Sequence, residues 1–325
     1  MSNIDSYVHL PSTEFKALPE IYQIEATNHC NLKCPMCLRT TDMVRSADHV
    51  DQGLIRAMLA RGDFAGTSYT ELQLAGEPTL HPQLGEIISL IKGHGILVGA
   101  STHGLLIGKK AGVLEALLSL DALTVSCDSV DPETYSKMRY PAQLPQLIAA
   151  VDLLVDALKS LPSSKRPFVE LQLVQLNDAR GIAGSGNLFD LEVLMRQRGW
   201  DEVCTARVQS DCFPEMQKDV VQIGGLKRNA SLCINPWSSV SVAADGSVVS
   251  CCYVFEPSMD SPNTYGNLRE QSLAEIWDGR RVQAMRESHR TGDLGGQCRA
   301  CYLKSPTLIH ANIVSRLVRH KCLST

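Results

Sequence analysis

The chain has 325 residues and a formal net charge of −4, and 44% of its residues are hydrophobic. This length allows one large domain, or a domain of roughly 200 residues with a smaller partner. The negative charge argues against a general nucleic-acid binder, which normally carries a basic surplus. No apolar run approaches the roughly 18 residues that a membrane span requires, so we predict none.

The cysteine content indicates the compartment and the chemistry. Residues 1–19 are polar and lack the apolar segment of a secretory signal, so we predict a cytoplasmic protein. In that reducing compartment, 12 cysteines in a long chain favour metal–sulfur chemistry over a disulfide scaffold.

Strand-like and helix-like segments alternate about six times after residue 20. The predicted strands cover residues 21–26, 69–75, 96–102, 122–128, 169–177 and 202–208, and the predicted helices cover residues 51–62, 82–93, 108–119, 145–160 and 188–199. This alternation predicts an α/β fold with a parallel sheet. Polar or glycine residues follow the strands, at the edge where such folds build their sites. Neither GxGxxG nor GxxxxGK occurs, which argues against an ordinary dinucleotide or P-loop site.

Three cysteines, Cys30, Cys34 and Cys37, lie within eight residues after the first predicted strand. Four thiolates would close a structural zinc or ferredoxin-type site, whereas three leave one corner of a cube-shaped iron–sulfur cluster open. An open iron can bind a substrate or cofactor, so we interpret the loop as a catalytic cluster site. The alternative is a zinc site with a distant fourth ligand such as His29 or Cys127.

The pattern changes near residue 215. A glycine-rich linker is followed by a hairpin whose turn is Asp245-Gly246, a strong turn signal. A predicted helix at 272–288 precedes Cys298 and Cys301. We predict an N-terminal extension (1–19), an α/β domain (20–215), a linker (216–232), a smaller cysteine-bearing α+β domain (233–305) and a C-terminal helix (306–325). That amphipathic helix is expected to dock on the body, with a partner-peptide or membrane-surface role as the alternative.

Four motifs, taken in chain order, resemble those of the radical S-adenosylmethionine (SAM) superfamily. The spacing of Cys30, Cys34 and Cys37 matches that family's signature, and Ala75-Gly76-Glu77-Pro78 resembles its Gly-Gly-Glu-Pro element. Thr102-His103-Gly104 resembles its Thr-Asn-Gly turn, and Ser126-Cys127-Asp128 resembles its Ser-x-Asp segment. The resemblance implies a partial (β/α)6 TIM-type barrel.

The resemblance also implies a role for each matching residue. The three loop cysteines would hold a 4Fe-4S cluster whose open iron binds SAM. The methionine amino group would contact Gly76, Glu77 and Pro78. Further cofactor contacts are implied for Ser126, Asp128 and Arg139. Two alternatives remain: Asp128 would instead cap the helix that starts near Pro132, and Arg139 would be a solvated charge at a helix end.

The second group of cysteines resembles the SPASM/twitch domains found in part of this superfamily. Cys233, Cys251, Cys298 and Cys301 match the shortened twitch form, which implies one auxiliary 4Fe-4S cluster. Four ligands close a cluster, which favours electron transfer or a structural role. A structural zinc site is the alternative.

The resemblance implies reductive cleavage of SAM to a 5′-deoxyadenosyl radical, which takes hydrogen from an unactivated C–H bond. We predict epimerisation of a sugar, an aminocyclitol or a peptide, with Cys252 as the hydrogen-atom donor. Neighbours in a strand point to opposite faces, so Cys251 could bind iron while Cys252 faces elsewhere. The alternatives are a buried, inert Cys252 with two-electron dehydrogenation through the auxiliary cluster, or peptide cross-linking. The expected reductant is a flavodoxin or ferredoxin, and the non-enzyme alternative is a zinc-binding interaction protein.

Overall fold

The computed structural model describes residues 18–175, 187–210, 233, 235–252, 254, 256–295 and 298. The predicted linker (216–232), Cys301, the predicted C-terminal helix (306–325) and nearly all of the N-terminal extension lie outside these residues. None of the described helices combines the length and apolarity that crossing a bilayer requires.

Six parallel strands form the body of the protein. They are β1 (Glu20–Ile24), β2 (Tyr69–Glu71), β3 (Leu97–Thr102), β4 (Ala122–Ser126), β5 (Phe168–Gln175) and β6 (Thr205–Ser210). Each strand pairs in parallel with the next one along the chain. Sequential parallel pairing with intervening helices is the architecture of a partial (β/α)6 barrel, so the predicted fold class is confirmed.

Helices connect these strands and cover the sheet. They are α1 (Leu38–Thr41), α2 (Gln52–Arg61), α3 (Leu84–Lys92), α4 (Val113–Leu118), α5 (Pro132–Met138), α6 (Leu144–Ser160) and α7 (Leu188–Arg198). Helix α2 starts where the Asp51 side chain accepts a 2.8 Å hydrogen bond from the Leu54 amide, and it ends at Gly62 in the left-handed conformation. These are the usual start and stop signals, which is why the sequence predicted this helix within a residue at each end.

Two predicted helices are shorter than the sequence indicated. Helix α4 begins at Val113 rather than at residue 108, because Gly108 and Gly112 have φ values of 72° and 75°, outside the helical region. The helix predicted at 272–288 is two helices, α9 (Leu273–Trp277) and α10 (Arg280–Thr291), which meet at Gly279. The apolar periodicity continues across both interruptions, so the pattern alone did not reveal them.

The C-terminal part extends the same sheet. After the short helix α8 (Asn235–Ser238) come β7 (Ser239–Val242), β8 (Ser247–Val249) and β9 (Thr264–Asn267). Strand β7 pairs in parallel with β1, and the β7–β8 and β8–β9 pairs are antiparallel. The sheet therefore has nine strands in the order β6-β5-β4-β3-β2-β1-β7-β8-β9. The predicted Asp245-Gly246 turn joins β7 to β8, with Gly246 at φ 91°; β9 was not predicted.

A buried ion pair fastens the junction between the two parts. Glu25, which follows β1, is 0% exposed, and its carboxylate accepts hydrogen bonds of 2.7 and 2.5 Å from Arg45. The same carboxylate accepts from the backbone amides of Ala75 and Ala244. The Glu256 side chain accepts from the Arg45 backbone amide, at 3.2 Å. The segment after the cysteine loop is thus held by β1, by the loop after β2, and by the C-terminal part.

Candidate active site

A large pocket opens at the carboxyl ends of the parallel strands, the usual site position in such folds. It encloses about 1420 Å³, a figure that includes space open to solvent. Its lining includes Cys30, Cys34, Cys37, Glu77 and Cys252. Gly76, Ser126 and Arg139 line it as well. Among the predicted cofactor residues of the barrel, Pro78 and Asp128 are not in the lining.

The cysteine loop is held by backbone hydrogen bonds. The Cys37 amide donates to the Cys34 carbonyl at 3.1 Å, and the Lys33 amide donates to the Tyr140 carbonyl at 2.7 Å. Burial raises the pKa of Cys30 to about 11 and also raises the pKa of Cys34. These thiols therefore stay protonated until a cation such as cluster iron displaces the protons.

The donor set fits an iron–sulfur cluster. Among the described residues, no group of three or more His, Cys, Asp or Glu side chains converges as the ligands of one metal ion would. A cubane does not need such convergence, because each thiolate binds a different iron. The three loop cysteines border one pocket that also has room for a cofactor.

The Gly76 turn packs directly against the segment that leads into the cysteine loop. A Cβ atom at Gly76 would lie 2.0 Å from the Thr27 carbonyl oxygen, so only glycine fits. The adjacent Glu77 amide donates a 2.7 Å hydrogen bond to the His29 carbonyl. The turn and the cysteine loop are consequently fixed relative to each other.

The Glu77 carboxylate is buried, and its two oxygens have different surroundings. Oε1 accepts three hydrogen bonds, from the Thr79 amide at 3.1 Å and from the hydroxyls of Thr79 and Thr102 at 2.6 Å each. Oε2 accepts from the His103 amide at 2.9 Å. His103 Nε2 also lies 3.4 Å from Oε2. With one hydrogen bond against the three on Oε1, Oε2 is the oxygen with capacity for a further donor such as an ammonium group.

His103 connects this carboxylate to the cysteine loop. Its Nδ1 accepts from the Leu105 amide at 3.0 Å, so Nε2 carries the proton and donates to Asn31 Oδ1 at 2.8 Å. Burial lowers the pKa of His103 in spite of the neighbouring Glu77. The ring therefore stays neutral and adds no positive charge beside Glu77. The His that replaces the family's Asn contacts the cysteine loop, which the sequence did not predict.

Asp128 is completely buried and faces Arg139. Its Oδ2 makes a short ion pair with Arg139 Nε, and its Oδ1 accepts from the Val174 amide at 3.2 Å. Asp128 does not cap the helix that starts at Pro132; Asp131 does, by accepting from the Thr134 amide. The capping alternative is therefore wrong, because the carboxylate that reaches the helix start is three residues later.

Arg139 occupies the pocket wall rather than a solvated helix end. Its Nη1 lies 4.0 Å from Cys34 Sγ, and its side chain is 15% exposed. Asp128 holds the guanidinium, so Asp128 acts on the pocket through Arg139. Cys127, the possible fourth ligand of a zinc site, is 2% exposed, is not in the pocket lining, and has a pKa raised to about 12 by burial.

Cys252 lines the same pocket as the three loop cysteines. The reason that the sequence suggested for this placement is wrong, since β8 ends at Val249 and Cys251 and Cys252 lie in a bend and a turn after it. The hydrogen bond from the Ser250 amide to the Asn263 carbonyl fixes the start of that turn. The different positions of Cys251 and Cys252 therefore come from this turn and not from the alternation of side chains along a strand.

Three of the four predicted auxiliary ligands are described, and all three are near enough to act electrostatically on Tyr265. Burial raises the pKa of Tyr265, and Cys251, Cys298 and Cys233 raise it further, so all three lie close to the phenol. The Tyr265 hydroxyl is buried and has no hydrogen-bond partner among the described residues. An acceptor between these cysteines would satisfy it, which fits a cluster sulfur. The fourth predicted ligand, Cys301, is outside the described residues.

Several polar residues of the pocket floor were not singled out in the sequence. Glu71 accepts hydrogen bonds from the hydroxyls of Tyr22 at 3.4 Å and Tyr69 at 3.3 Å. Arg207 Nε lies 3.5 Å from Glu170 on the neighbouring strand. The available signal was a carboxylate, Glu71, within the strand predicted at residues 69–75.

Two family profiles match this chain. The Radical SAM superfamily profile matches residues 24–164, which contain the cysteine loop, Glu77 and Arg139. The chain belongs to the radical SAM superfamily. The SPASM profile, an iron-sulfur cluster-binding domain, matches residues 233–302 of this radical SAM enzyme. The predicted family is thus confirmed, and the two domains imply SAM and iron–sulfur clusters as cofactors.

Curated and solved proteins resemble the enzyme over most of its length. GTP 3′,8-cyclase of Chlorobaculum tepidum is 25% identical over 307 residues, covering 83% of this chain and 88% of the relative. BtrN, solved in complex with AdoMet and 2-DOIA, superposes with a TM-score of 0.57 at 15% identity over 90% of this chain and 98% of BtrN. Streptococcus suis SuiB bound to precursor peptide SuiA superposes with a TM-score of 0.54 at 14% identity, over 82% and 66% respectively. At such identities the structures support the fold alone.

Proposed function

We propose that this radical SAM enzyme epimerises a carbon centre of a sugar, aminocyclitol or peptide, with Cys252 as the hydrogen-atom donor. The observation that carries the proposal is the position of Cys252 in the pocket lined by Cys30, Cys34 and Cys37. We assign one 4Fe-4S cluster to those three cysteines. The second, auxiliary cluster is assigned to Cys233, Cys251, Cys298 and Cys301.

The barrel residues would bind and orient SAM. When bound, the cluster and SAM together supply a 5′-deoxyadenosyl radical, which takes a hydrogen atom from the substrate. Glu77 Oε2 receives the positively charged amino group of SAM, and neutral His103 preserves the charge that this contact needs. Arg139, positioned by Asp128, offers its guanidinium to the SAM carboxylate. Ser126 and Gly76, which also line the pocket, complete the cofactor contacts.

Cys252 would then complete the reaction. The substrate carbon radical takes a hydrogen atom from the Cys252 S–H bond on the opposite face, which inverts the centre and leaves a thiyl radical on sulfur. One electron from a flavodoxin or ferredoxin and one proton from solvent restore the thiol. Tyr22 and Glu71 on the pocket floor supply polar contacts for a substrate with hydroxyl, amino or amide groups.

Dehydrogenation is the second candidate, favoured by the position of Cys251 next to Cys252. In that reaction the substrate radical would lose an electron and a proton, and a cluster held by Cys251 and its partner cysteines would supply the electron acceptor. Peptide cross-linking shares the same first step. The bound molecules of the structural neighbours, 2-DOIA and a precursor peptide, are consistent with either substrate class.

Metal analysis tests the cofactor assignment first. Anaerobic reconstitution should load about eight irons per chain, the content of two cubanes. Two zincs per chain and no cleavage of SAM would instead support a zinc-binding interaction protein.

Product analysis in D2O tests the reaction. Sugars, aminocyclitols and short peptides are screened for stimulation of 5′-deoxyadenosine formation, and the active substrate is then turned over in D2O. An epimerase incorporates one solvent deuterium, and Cys252→Ala still cleaves SAM but forms no epimer. Cys204→Ala is the matched control, because Cys204 is a buried thiol away from the pocket. A product two hydrogens lighter, formed equally by Cys252→Ala, would establish dehydrogenation instead.

A further inference from the structure

Tyr265 carries a buried hydroxyl that the reaction described above does not use. It lies in β9 and is 4% exposed. Its hydroxyl has no hydrogen-bond partner among the residues that the structure describes. Buried phenol hydroxyls usually have one, because a hydroxyl removed from water without a partner is destabilising. A partner is therefore expected at this position.

The surroundings of Tyr265 indicate what that partner is. Cys251, Cys298 and Cys233 are near enough for their charges to act on the phenol. A separate contact supports this placement, since Cys298 Sγ lies 3.4 Å from the side-chain oxygen of Asn263, just before β9. A tyrosine hydroxyl has an ordinary pKa of about 10, so it keeps its proton at neutral pH. Tyr265 thus presents a donor to the space that these sulfurs border.

We propose that the Tyr265 hydroxyl donates a hydrogen bond to a sulfur of the auxiliary cluster and raises its reduction potential. The inference rests on the proposed ligation by Cys233, Cys251 and Cys298. A reduced cluster carries one more negative charge than an oxidised one, and a hydrogen bond to a more negative acceptor is stronger. The bond therefore stabilises the reduced form.

This hydrogen bond would bear on the outcome of the reaction. A higher potential makes the auxiliary cluster a better electron acceptor, whereas a lower potential makes it a better donor. Tyr265 is accordingly a tuning residue and does not touch the substrate. Its effect is measured on the cluster and not through turnover.

The test is the midpoint potential of the auxiliary cluster in iron-loaded, full-length Tyr265→Phe. Potentiometric titration followed by electron paramagnetic resonance separates the two clusters, because added SAM alters only the signal of the cluster that binds it. We expect reduction of the auxiliary cluster to become about tenfold less favourable, which is about 59 mV more negative for one electron. Tyr135→Phe is the matched control. Tyr135 also has a buried hydroxyl without a described partner, but it lies near Cys34, so the auxiliary potential should not change.

A second variant, which strengthens the hydrogen bond instead of removing it, keeps the test decisive if Tyr265→Phe does not bind the auxiliary cluster. A fluorinated tyrosine at 265 keeps the ring and is a stronger donor, so it should shift the potential upwards. An unchanged potential in either loaded variant overturns the inference. The ligand assignment fails separately: a second cluster that persists in Cys251→Ala contradicts the proposed ligation, whatever Tyr265 does.

Discussion

Glu25→Gln is expected to destabilise the enzyme strongly, because it breaks the ion pair at the junction of the two parts. Glu25 is fully buried and the Arg45 side chain is 14% exposed. The glutamine amide nitrogen cannot accept hydrogen bonds, so two of the four donors that face the carboxylate lose their acceptor. Two lost hydrogen bonds of ~1.5–3 kcal/mol each, or one broken buried pair at ~3–5 kcal/mol, give a similar range. Because Arg45 keeps some contact with water, we expect about 3 kcal/mol.

The measurement is the free energy of unfolding of the cluster-free protein in urea, under anaerobic conditions, monitored by circular dichroism. The variants are compared with one common dependence of that free energy on urea concentration. Glu202→Gln is the control, since Glu202 pairs with Lys159 at 63% side-chain exposure and should change the free energy of unfolding by under ~1 kcal/mol. If Glu25→Gln unfolds at the same urea concentration as Glu202→Gln, the junction does not depend on this ion pair and the reasoning is wrong.

Three further variants address the pocket and the barrel wall. Gly76→Ala forces the turn away from the cysteine loop and should weaken SAM binding at least tenfold; calorimetry with wild-type affinity would contradict this. His103→Asn keeps the backbone donor to the carboxylate but cannot reach Asn31, so iron should be lost faster in air while SAM affinity changes little. Asp152→Asn removes a carboxylate whose pKa is lowered by the Arg198 hydrogen bond. A carboxylate whose pKa is lower in the folded state stabilises that state at pH values above its unfolded pKa. The variant should therefore be less stable than the wild type at pH 7, and the difference should vanish as the pH falls through the pKa of Asp152 in the folded protein.

Local patterns predicted most of the barrel. Alternating strands and periodic helices identified the order and type of its main elements, since each is specified by neighbouring residues. Helix α2 is an example, with its capping Asp51 and its terminal Gly62. The cluster-binding role of the cysteine loop was also predicted from local sequence, because the spacing of its three cysteines is itself the family signature.

Contacts between distant residues were not predictable in the same way. The residues around Asp128 in the sequence do not show whether it caps a helix or pairs with Arg139. Only the fold brings Asp128 and Arg139 together. The sequence indicates only that His103 replaces a turn residue of the family, whereas in the structure its ring contacts Asn31. Cys252 reaches the pocket through a turn whose shape depends on pairing with Asn263, and this pairing cannot be read from the cysteine spacing.

The parallel pairing of β1 with β7 has a consequence for how the enzyme is made. Strand β1 begins at residue 20, and its partner begins at residue 239. During synthesis one edge of β1 stays open, and Glu25 lacks the Ala244 amide, until the ribosome has released most of the chain. Pairing across so long a loop is slow. We therefore expect the junction between the two parts to form only after most of the chain has been made, because Glu25 lacks its Ala244 donor until then.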